Sequence, residues 1–167
     1  LDGELLPWSG GVLPFAQLQR RIGRKTLSRK LLQEVPVVLL TYDLIEWGGE
    51  DWRGRALTER RGQLEQLLGA LASPQLPLST IVPADSWDDL IAARTASRER
   101  NVEGLMLKRR TSAYQVGRKR GDWWKWKIEP YTIDAVMIYA QRGTGRRASL
   151  YSDYTFALWE GGELTPF

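Results

Sequence analysis

The stretch that decides the fold is EGLMLKRRTSAYQVGRKRGDWWKWK, residues 103–127. It opens with a carboxylate before an apolar strand and closes with two lysines that alternate with tryptophans. Alternate side chains of a β-strand share a face, so Lys125 and Lys127 point to one side and Trp124 and Trp126 to the other. Two ammonium groups on one face repel each other, so we expect an anion, most naturally phosphate, to lie against them. An exposed edge strand whose lysines oppose aggregation is the simpler alternative.

The carboxylate of this stretch is a candidate metal ligand. Regular alternation places Glu103 on the face of Leu105 and Leu107, and Lys108 on the opposite face. Mg²⁺ binds through one or two carboxylates together with substrate oxygens and water, so a glutamate near lysines and phosphate suits it. A strand-end glutamate in water is the alternative.

Composition limits the chemistry that the chain can perform. Its 167 residues, 43% hydrophobic and 26% charged, are ordinary for a globular protein with a buried core. The sequence has no cysteine and no histidine, which excludes disulfides and thiolate or imidazole metal sites. Catalysis would therefore use carboxylates, lysines, arginines or a bound metal. No P-loop motif, signal-peptide pattern or membrane-length apolar run is present, and we expect a cytoplasmic protein.

Positive charge is concentrated in two segments. The formal net charge is +4. Residues 20–30 and residues 108–120 each contain six basic side chains and no acidic one. Such segments suit a polyanionic partner, and a solvated basic face is the alternative.

Local patterns predict a mixed α and β chain. We expect a basic amphipathic helix within 13–33, broken near Gly23, and a buried strand over 36–47 that ends at a Gly48-Gly49 turn. The remaining expected elements are a helix from Thr58 to Leu71 capped by Thr58, a strand around Ile81-Val82, a helix from Ser86 to Arg98 capped by Ser86, strands over 104–108, 123–128, 132–141, 148–151 and 155–159, and a hairpin turn at Gly161-Gly162.

Two further motifs lie in the first 45 residues. LDGEL occupies residues 1–5 and TYDLI residues 41–45. Tyr42 is a flat aromatic among aliphatic residues, so it either stacks on a base or fills the core. The order LDGEL, TYDLI, EGLMLK, WWKWK resembles the nucleotidyltransferase superfamily of ATP-dependent DNA ligases and mRNA capping enzymes. The flanking sequence is most similar to bacterial ATP-dependent DNA ligases, over nearly the whole chain.

The resemblance implies a fold and a division of the chain. The fold class is α+β, with an antiparallel-sheet nucleotidyltransferase core, ATP-grasp-like, and packed helices. Residues 1–130 would be the C-terminal part of the adenylation domain. Residues 131–167 would be the incomplete beginning of an OB-type β-barrel domain. The implied cofactors are ATP and Mg²⁺.

The resemblance also implies roles for individual residues. Glu4 would contact the nucleotide ribose, Tyr42 would stack on adenine, and Glu103 would bind the metal. Lys125 and Lys127 would neutralise the α-phosphate, which makes these two lysines and Glu103 the candidate catalytic residues. The partner would be nicked double-stranded DNA bound by a monomer, through phosphate contacts that are independent of sequence. The candidate DNA-binding residues are Arg109, Arg110, Arg118, Lys119 and Arg120.

The nucleophile of the family is missing from this sequence. In the family a lysine of a K-x-D-G motif attacks the α-phosphate of ATP, and no K-x-D-G occurs here. We therefore expect the parent protein to seal nicks and this chain alone not to adenylylate itself. Two alternatives remain open at this stage. One is an RNA-directed enzyme, either a capping enzyme or an RNA ligase, and the other is a noncatalytic nucleic-acid-binding module that uses its tryptophans as stacking platforms.

Overall fold

The predicted strands and helices are largely present in the computed structural model, which describes residues 1–117 and 119–167. In chain order they are β1 (Asp2–Pro7), α1 (Phe15–Gln19), α2 (Arg29–Glu34), β2 (Val37–Asp43), β3 (Glu46–Trp47), β4 (Glu50–Asp51), α3 (Leu57–Leu71), α4 (Trp87–Thr95), β5 (Gly104–Lys108), β6 (Trp123–Lys127), β7 (Val136–Arg142), a 3₁₀ turn (Gly145–Arg147), β8 (Tyr151–Glu160) and β9 (Glu163–Pro166). None of the helices described is long and apolar enough to cross a bilayer.

The chain divides into two compact units, residues 1–128 and residues 129–167. In the first unit, β1 pairs with β2, β3 with β4, and β5 with β6, all antiparallel. In the second unit, β7, β8 and β9 form a three-stranded antiparallel sheet. The expected α+β class with antiparallel sheets is confirmed. The expected OB-type barrel stays a prediction, because these three strands do not close into a barrel.

The core of the first unit lies between the end of β2 and α3. Leu44 and Leu64 are fully buried, and Leu68 packs with them. This contact explains the apolar stripe of α3, because Leu64 and Leu68 are one helical turn apart and face the sheet. The predicted stripe ends before Leu71, which is 53% exposed.

The start of α3 differs from its predicted cap. Ala56 holds the N-cap position and makes no side-chain cap. Thr58 lies inside the first turn, so its role as the cap was wrong. Its backbone N–H instead donates to the carbonyl of Arg110 at 3.1 Å, which satisfies one of the free N–H groups of the helix start. The loop after β5 therefore caps α3, and a local pattern could not show this.

The capping of α4 agrees with the prediction. The Ser86 hydroxyl accepts from the N–H of Asp89, and the Asp89 carboxylate accepts from the N–H of Ser86, which together form a capping box. The helix ends at Thr95 rather than at the predicted Arg98.

Two other expectations need correction. The basic segment 13–33 forms two short helices rather than one, with Gly23 at φ +82° between them, near the predicted break. The predicted strand at Ile81-Val82 is wrong, since Ile81 is 68% exposed and unpaired with any described strand. Pairing occurs earlier, where Thr41 of β2 forms a single parallel bridge with Leu78. Beyond it the chain leaves the sheet edge, and apolar residues there remain exposed.

The strands of the second unit differ from the prediction in their bounds. β7 begins at Val136 rather than at residue 132. The strand predicted over 155–159 is part of the longer β8, which begins at Tyr151. The strand predicted over 148–151 is wrong for residues 148–150, which precede β8. The hairpin turn at Gly161-Gly162 is confirmed, with Glu160 paired to Glu163 and both glycines at positive φ.

Candidate functional site

The β5–β6 pair presents three lysines on one face. Met106 pairs with Lys125, Gly104 with Lys127, and Lys108 with Trp123. Residues directly opposite one another in a sheet point to the same side. We call this side the lysine face; it comprises Gly104, Met106, Lys108, Trp123, Lys125 and Lys127.

The opposite face of β6 anchors the strand to α4. Trp126 meets Trp87 edge to face, with ring centroids 6.1 Å apart. The guanidinium of Arg94 lies 5.3 Å from the Trp126 ring centroid and donates to the backbone carbonyl of Lys127. Trp124 packs less closely and is 47% exposed. The alternation predicted from WWKWK is therefore present, with one tryptophan anchoring the strand better than the other.

Glu103 lies on the lysine face, contrary to the prediction that it shares a side with Leu105. Its carboxylate is 2.5 Å from the ammonium of Lys127. Gly104, which follows Glu103 and begins β5, has φ +140°. A Cβ at this position would stand 2.3 Å from the carbonyl oxygen of Trp126. This glycine conformation interrupts the two-residue alternation and turns Glu103 toward the lysines. The Lys127 hydrogen bond lowers the pKa of Glu103.

The position of Glu103 differs from what regular strand alternation predicts relative to Lys108. Counting along a regular strand separated Glu103 and Lys108 onto opposite faces. Because Gly104 interrupts the alternation, the Glu103 carboxylate reaches Lys127, which shares its face of the β5–β6 pair with Lys108. Regular alternation therefore mispredicted the side of Glu103. The sequence signal for this exception was Gly104, the residue that follows it.

Lys108 is the inner end of the lysine face. Its ammonium is fully buried, 3.8 Å from the Trp123 ring centroid and 4.1 Å from that of Tyr42. Among residues 1–117 and 119–167 it has no hydrogen-bond partner. Burial lowers the pKa of Lys108 to about 8.

Tyr42 links the first strand pair to this cluster. Its hydroxyl donates to Asp2 Oδ1 at 3.3 Å, and the Tyr114 hydroxyl donates to Asp2 Oδ2 at 2.8 Å. Burial, followed by the charge of Asp2, raises the pKa of Tyr42 to about 12. The side chain is half-buried, so part of the ring is open to solvent. The sequence had identified Tyr42 but had missed Tyr114 and this use of Asp2.

Glu4 lies near Tyr42 and is exposed. It pairs with Leu40 in the β1–β2 ladder, and its charge is close enough to contribute to the raised pKa of Tyr42. A β-bulge leaves Tyr42 without a partner, since Asp2 pairs with Asp43 and Gly3 with Thr41. Bulges redirect side chains, and this one sets the position of Tyr42.

A buried ion pair links the elements that carry this cluster. Arg60 donates to both carboxylate oxygens of Asp43, at 2.7 and 2.9 Å, and both side chains are fully buried. Arg60 also donates to the carbonyls of Arg55 and Ser112. The pair therefore joins β2, α3 and the loop after β5. The signal in the sequence was a charged residue inside an apolar strand, TYDLI, and its partner could not be read locally.

The candidate DNA-binding residues border the β5–β6 loop. Arg109, Arg110, Lys119 and Arg120 are exposed, while Arg118 lies outside the described residues. Arg109 forms an ion pair with Asp122 at 3.2 Å. The loop also surrounds a cavity of about 390 Å³, lined by Tyr114, Gln115, Val116, Gly117, Lys119, Asp122 and Trp123. In the earlier basic segment, Arg20 and Arg21 instead bond to Glu34 and to the Val35 carbonyl, which ties α1 to α2.

The four motifs meet in space. LDGEL supplies Asp2, TYDLI supplies Tyr42, EGLMLK supplies Lys108 and WWKWK supplies Trp123, and each of these side chains contacts another of the set. The described residues include no group of three acidic side chains that would enclose a metal. Glu103 thus provides one carboxylate beside two lysines, an arrangement suited to an anionic ligand.

The fold is shared with solved DNA ligases. The chain matches a mycobacterial DNA ligase D complexed with ATP and MES at a TM-score of 0.59 and 28% identity, over 99% of this chain and 48% of that one. Fold and site together define a nucleotidyltransferase-type domain. The family model of the ATP dependent DNA ligase domain matches residues 1–127. The chain belongs to this family.

Curated relatives agree with this assignment. A probable DNA ligase of Koribacter versatilis is 37% identical over 186 residues, covering 98% of this chain and 32% of the relative. A probable DNA ligase of Opitutus terrae is 37% identical over 185 residues, covering 94% of this chain and 18% of the relative. The chain therefore spans a third or less of the length of these relatives.

Proposed function

We propose that this chain is part of an ATP-dependent DNA ligase that seals nicks through lysyl-AMP and DNA-adenylate intermediates. The observation that carries the proposal is the meeting of the four motif segments around Tyr42, Lys108 and the two lysines of β6. Residues far apart in sequence converge on one face, where positive charge and an accessible aromatic ring lie together. A nucleoside phosphate is a ligand that uses both features.

Each candidate residue has a defined task in this site. Tyr42 stacks on adenine through the solvent-accessible part of its ring, and Glu4 accepts hydrogen bonds from the ribose. Lys125 and Lys127 hold the α-phosphate and stabilise the charge that develops there during phosphoryl transfer. The salt bridge between Glu103 and Lys127 sets the direction of one ammonium before the nucleotide binds.

Mg²⁺ fits this site when a triphosphate is present. Glu103 is a single exposed carboxylate, and Mg²⁺ binds through one or two carboxylates together with phosphate oxygens and water. The ion would neutralise charge on the phosphates. Glu103 would be the carboxylate that holds the ion, and it is the same carboxylate that pairs with Lys127.

Nicked double-stranded DNA is the proposed partner. Arg110, Lys119 and Arg120 are exposed on the loop beside the lysine face, and Arg109 lies at its start. Arg118 completes the proposed DNA-binding set, although it lies outside the described residues. These cations bind DNA phosphates without reading sequence. A monomer in the cytoplasm completes the proposal, with residues 131–167 contributing the first strands of an OB-type domain.

The nucleophile is supplied by a segment outside this sequence. The amine of a K-x-D-G lysine attacks the α-phosphate of ATP, a nitrogen–phosphorus bond forms, and pyrophosphate leaves. The residues of this chain bind and orient the nucleotide for that attack. Accordingly, this chain by itself gains no AMP.

Intact-mass spectrometry and nick sealing test the proposal. This chain and the full-length protein that contains it are each incubated with ATP and Mg²⁺, and then with nicked DNA or nicked RNA. We expect the longer protein to gain one AMP and to seal nicked DNA, and this chain to do neither. A stoichiometric AMP adduct on this chain would overturn the external nucleophile. Failure of the longer protein would leave a noncatalytic nucleic-acid-binding module, and a preference for nicked RNA would indicate an RNA ligase.

A further inference from the structure

Lys108 is a buried cation for which the proposed mechanism has no use. The N–H groups of its ammonium have no hydrogen-bond acceptor among the residues that the structure describes. The ammonium contacts the ring faces of Tyr42 and Trp123. Burying an ammonium without a hydrogen-bond partner is costly. Cation–π attraction to two rings offsets part of this cost. A methionine would fill the same space without it, so the charge itself calls for an explanation.

The two contacts differ in how open they are to solvent. The Lys108 ammonium is fully buried, whereas the Tyr42 side chain is only half-buried. The buried ammonium covers one face of the Tyr42 ring. A base that stacks on this ring would therefore use the other face.

A hydrogen bond holds the Tyr42 side chain at its hydroxyl, at the edge of the ring. The hydroxyl donates to Asp2 at 3.3 Å, a long hydrogen bond about which the ring can still turn. The ammonium centred 4.1 Å from the ring restrains its plane, because the attraction is greatest over the ring face. Trp123 in turn restrains the ammonium, and its Nε1 is fixed by a hydrogen bond to Ser112.

We infer that Lys108 is a positioning residue for the nucleotide base, whose buried ammonium fixes the plane of the Tyr42 ring on which the base stacks. The inference rests on the proposed function, since it assumes that the site binds an adenine nucleotide. It assigns Lys108 to the base and Lys125 and Lys127 to the phosphate. The three lysines of one face thereby have two separate tasks.

Charges from several elements act on Lys108. Asp43 of β2 and Asp2 of β1 favour the ammonium, while Arg60 and Arg61 of α3 disfavour it. The hydroxyls of Tyr42 and Tyr114 both donate to Asp2. Desolvation outweighs the two carboxylates, so the pKa of Lys108 is about 8. The ring restraint is therefore present below this pH and is lost as the pH rises through it.

The test compares binding of AMP with binding of ribose 5-phosphate, which lacks the base. Isothermal titration calorimetry is performed on the 167-residue chain, on Lys108→Met, which keeps the volume, and on Lys108→Arg, which keeps the charge. Lys30→Met is the matched control, because its side chain is 86% exposed. We expect Lys108→Met to weaken AMP about three- to tenfold and to leave ribose 5-phosphate unchanged, with Lys108→Arg close to wild type.

A pH series on the wild-type chain gives a readout that needs no variant to fold. The ratio of AMP affinity to ribose 5-phosphate affinity cancels titration of the phosphate that both ligands carry. We expect this ratio to fall as the pH rises through about 8. In Lys108→Arg it stays constant, because a guanidinium remains charged over this range.

The outcomes separate the inference from the proposed function. If the wild-type chain binds neither ligand, or binds both equally, the nucleotide site fails and the inference fails with it. If the wild-type chain prefers AMP but Lys108→Met weakens both ligands alike or neither, only the inference is overturned. Tighter AMP binding by Lys108→Met would show that the ammonium covers the stacking face, which also overturns it. Selective loss of AMP affinity, with the pH-dependent ratio, supports it.

Discussion

Single residues determine the geometry of the site at two places. Gly104 breaks strand alternation and brings Glu103 to Lys127, and the Asp43–Arg60 pair fixes β2 against α3. Neither effect can be predicted from a local sequence pattern. The first is a close approach between two backbones, and the second is a contact across seventeen residues.

Replacing Gly104 by alanine tests the first of these effects. The added Cβ would stand 2.3 Å from the Trp126 carbonyl oxygen, at a φ of +140° that other residues rarely adopt. We expect a loss of about 2–4 kcal/mol in the free energy of unfolding, measured by urea denaturation. The same substitution at Gly69 is the control, since Gly69 lies in α3 with open space around it and alanine there stabilises a helix. Equal stability of the two variants would contradict the assigned role.

Replacing Asp43 by asparagine tests the buried ion pair. Arg60 would remain buried without a carboxylate, and breaking such a pair typically costs about 3–5 kcal/mol. Urea unfolding measures the loss. Asp51→Asn is the control, because its ion pair with Arg53 is exposed and screened by solvent, so little change is expected. The role of the pair would be refuted by an Asp43→Asn protein as stable as the control.

At the scale of the elements, β6 has two faces with different tasks. Trp126 anchors the strand to α4, and the other side exposes Lys125 and Lys127. α4 begins with a capping box that sets the position of Trp87 beside Trp126. The direction of the lysines thus depends on the packing of a helix that lies earlier in the chain.

Neutralising the lysines of β6 tests the proposed phosphate contacts. We expect Lys125→Gln and Lys127→Gln each to weaken ribose 5-phosphate binding by about tenfold or more, because hydrogen bonds to charged groups contribute about 1.5–3 kcal/mol. Calorimetry measures the affinity, with Lys30→Gln as the exposed control. Unchanged affinity in both variants would return β6 to the alternative of an edge strand protected by lysines.

At the scale of the whole molecule, the chain consists of two compact units with one candidate site in the first. The residues of the site come from β1, β2, β5 and β6. The exposed cations of the loop between β5 and β6 adjoin it. The chain spans a third or less of the length of these relatives.

The salt dependence of DNA binding tests the role of this loop. The logarithm of the affinity for a nicked duplex falls with the logarithm of salt concentration, with a slope of about 0.9 for each phosphate contacted. We expect Arg110→Gln, Lys119→Gln and Arg120→Gln each to reduce that slope by about one. Arg55→Gln is the control, because Arg55 lies outside both basic segments and forms an exposed ion pair with Glu50. Fluorescence anisotropy between low and physiological salt measures the slopes. Wild-type slopes in all three loop variants would exclude the loop from DNA binding.

Sequence patterns predicted much of this protein because the decisive signals were local. Two-residue alternation in WWKWK predicted the direction of Lys125 and Lys127, Ser86 with Asp89 predicted the start of α4, and Gly161-Gly162 predicted a hairpin. The order of four motifs indicated the family, which the family match confirms. Each of these signals is contained within a few residues or in their order along the chain.

The tertiary structure alone decided how the motifs meet. The ion pair of Asp43 with Arg60, the capping of α3 by the loop at Arg110 and the position of Lys108 over the Tyr42 ring all join residues distant in sequence. Their energies come from burial, which removes water and makes each contact matter only once the chain has folded. The sequence by itself therefore determined most of the elements, the family and most of the residues to consider. Packing decided which of those residues share a site and which charge is left without a partner.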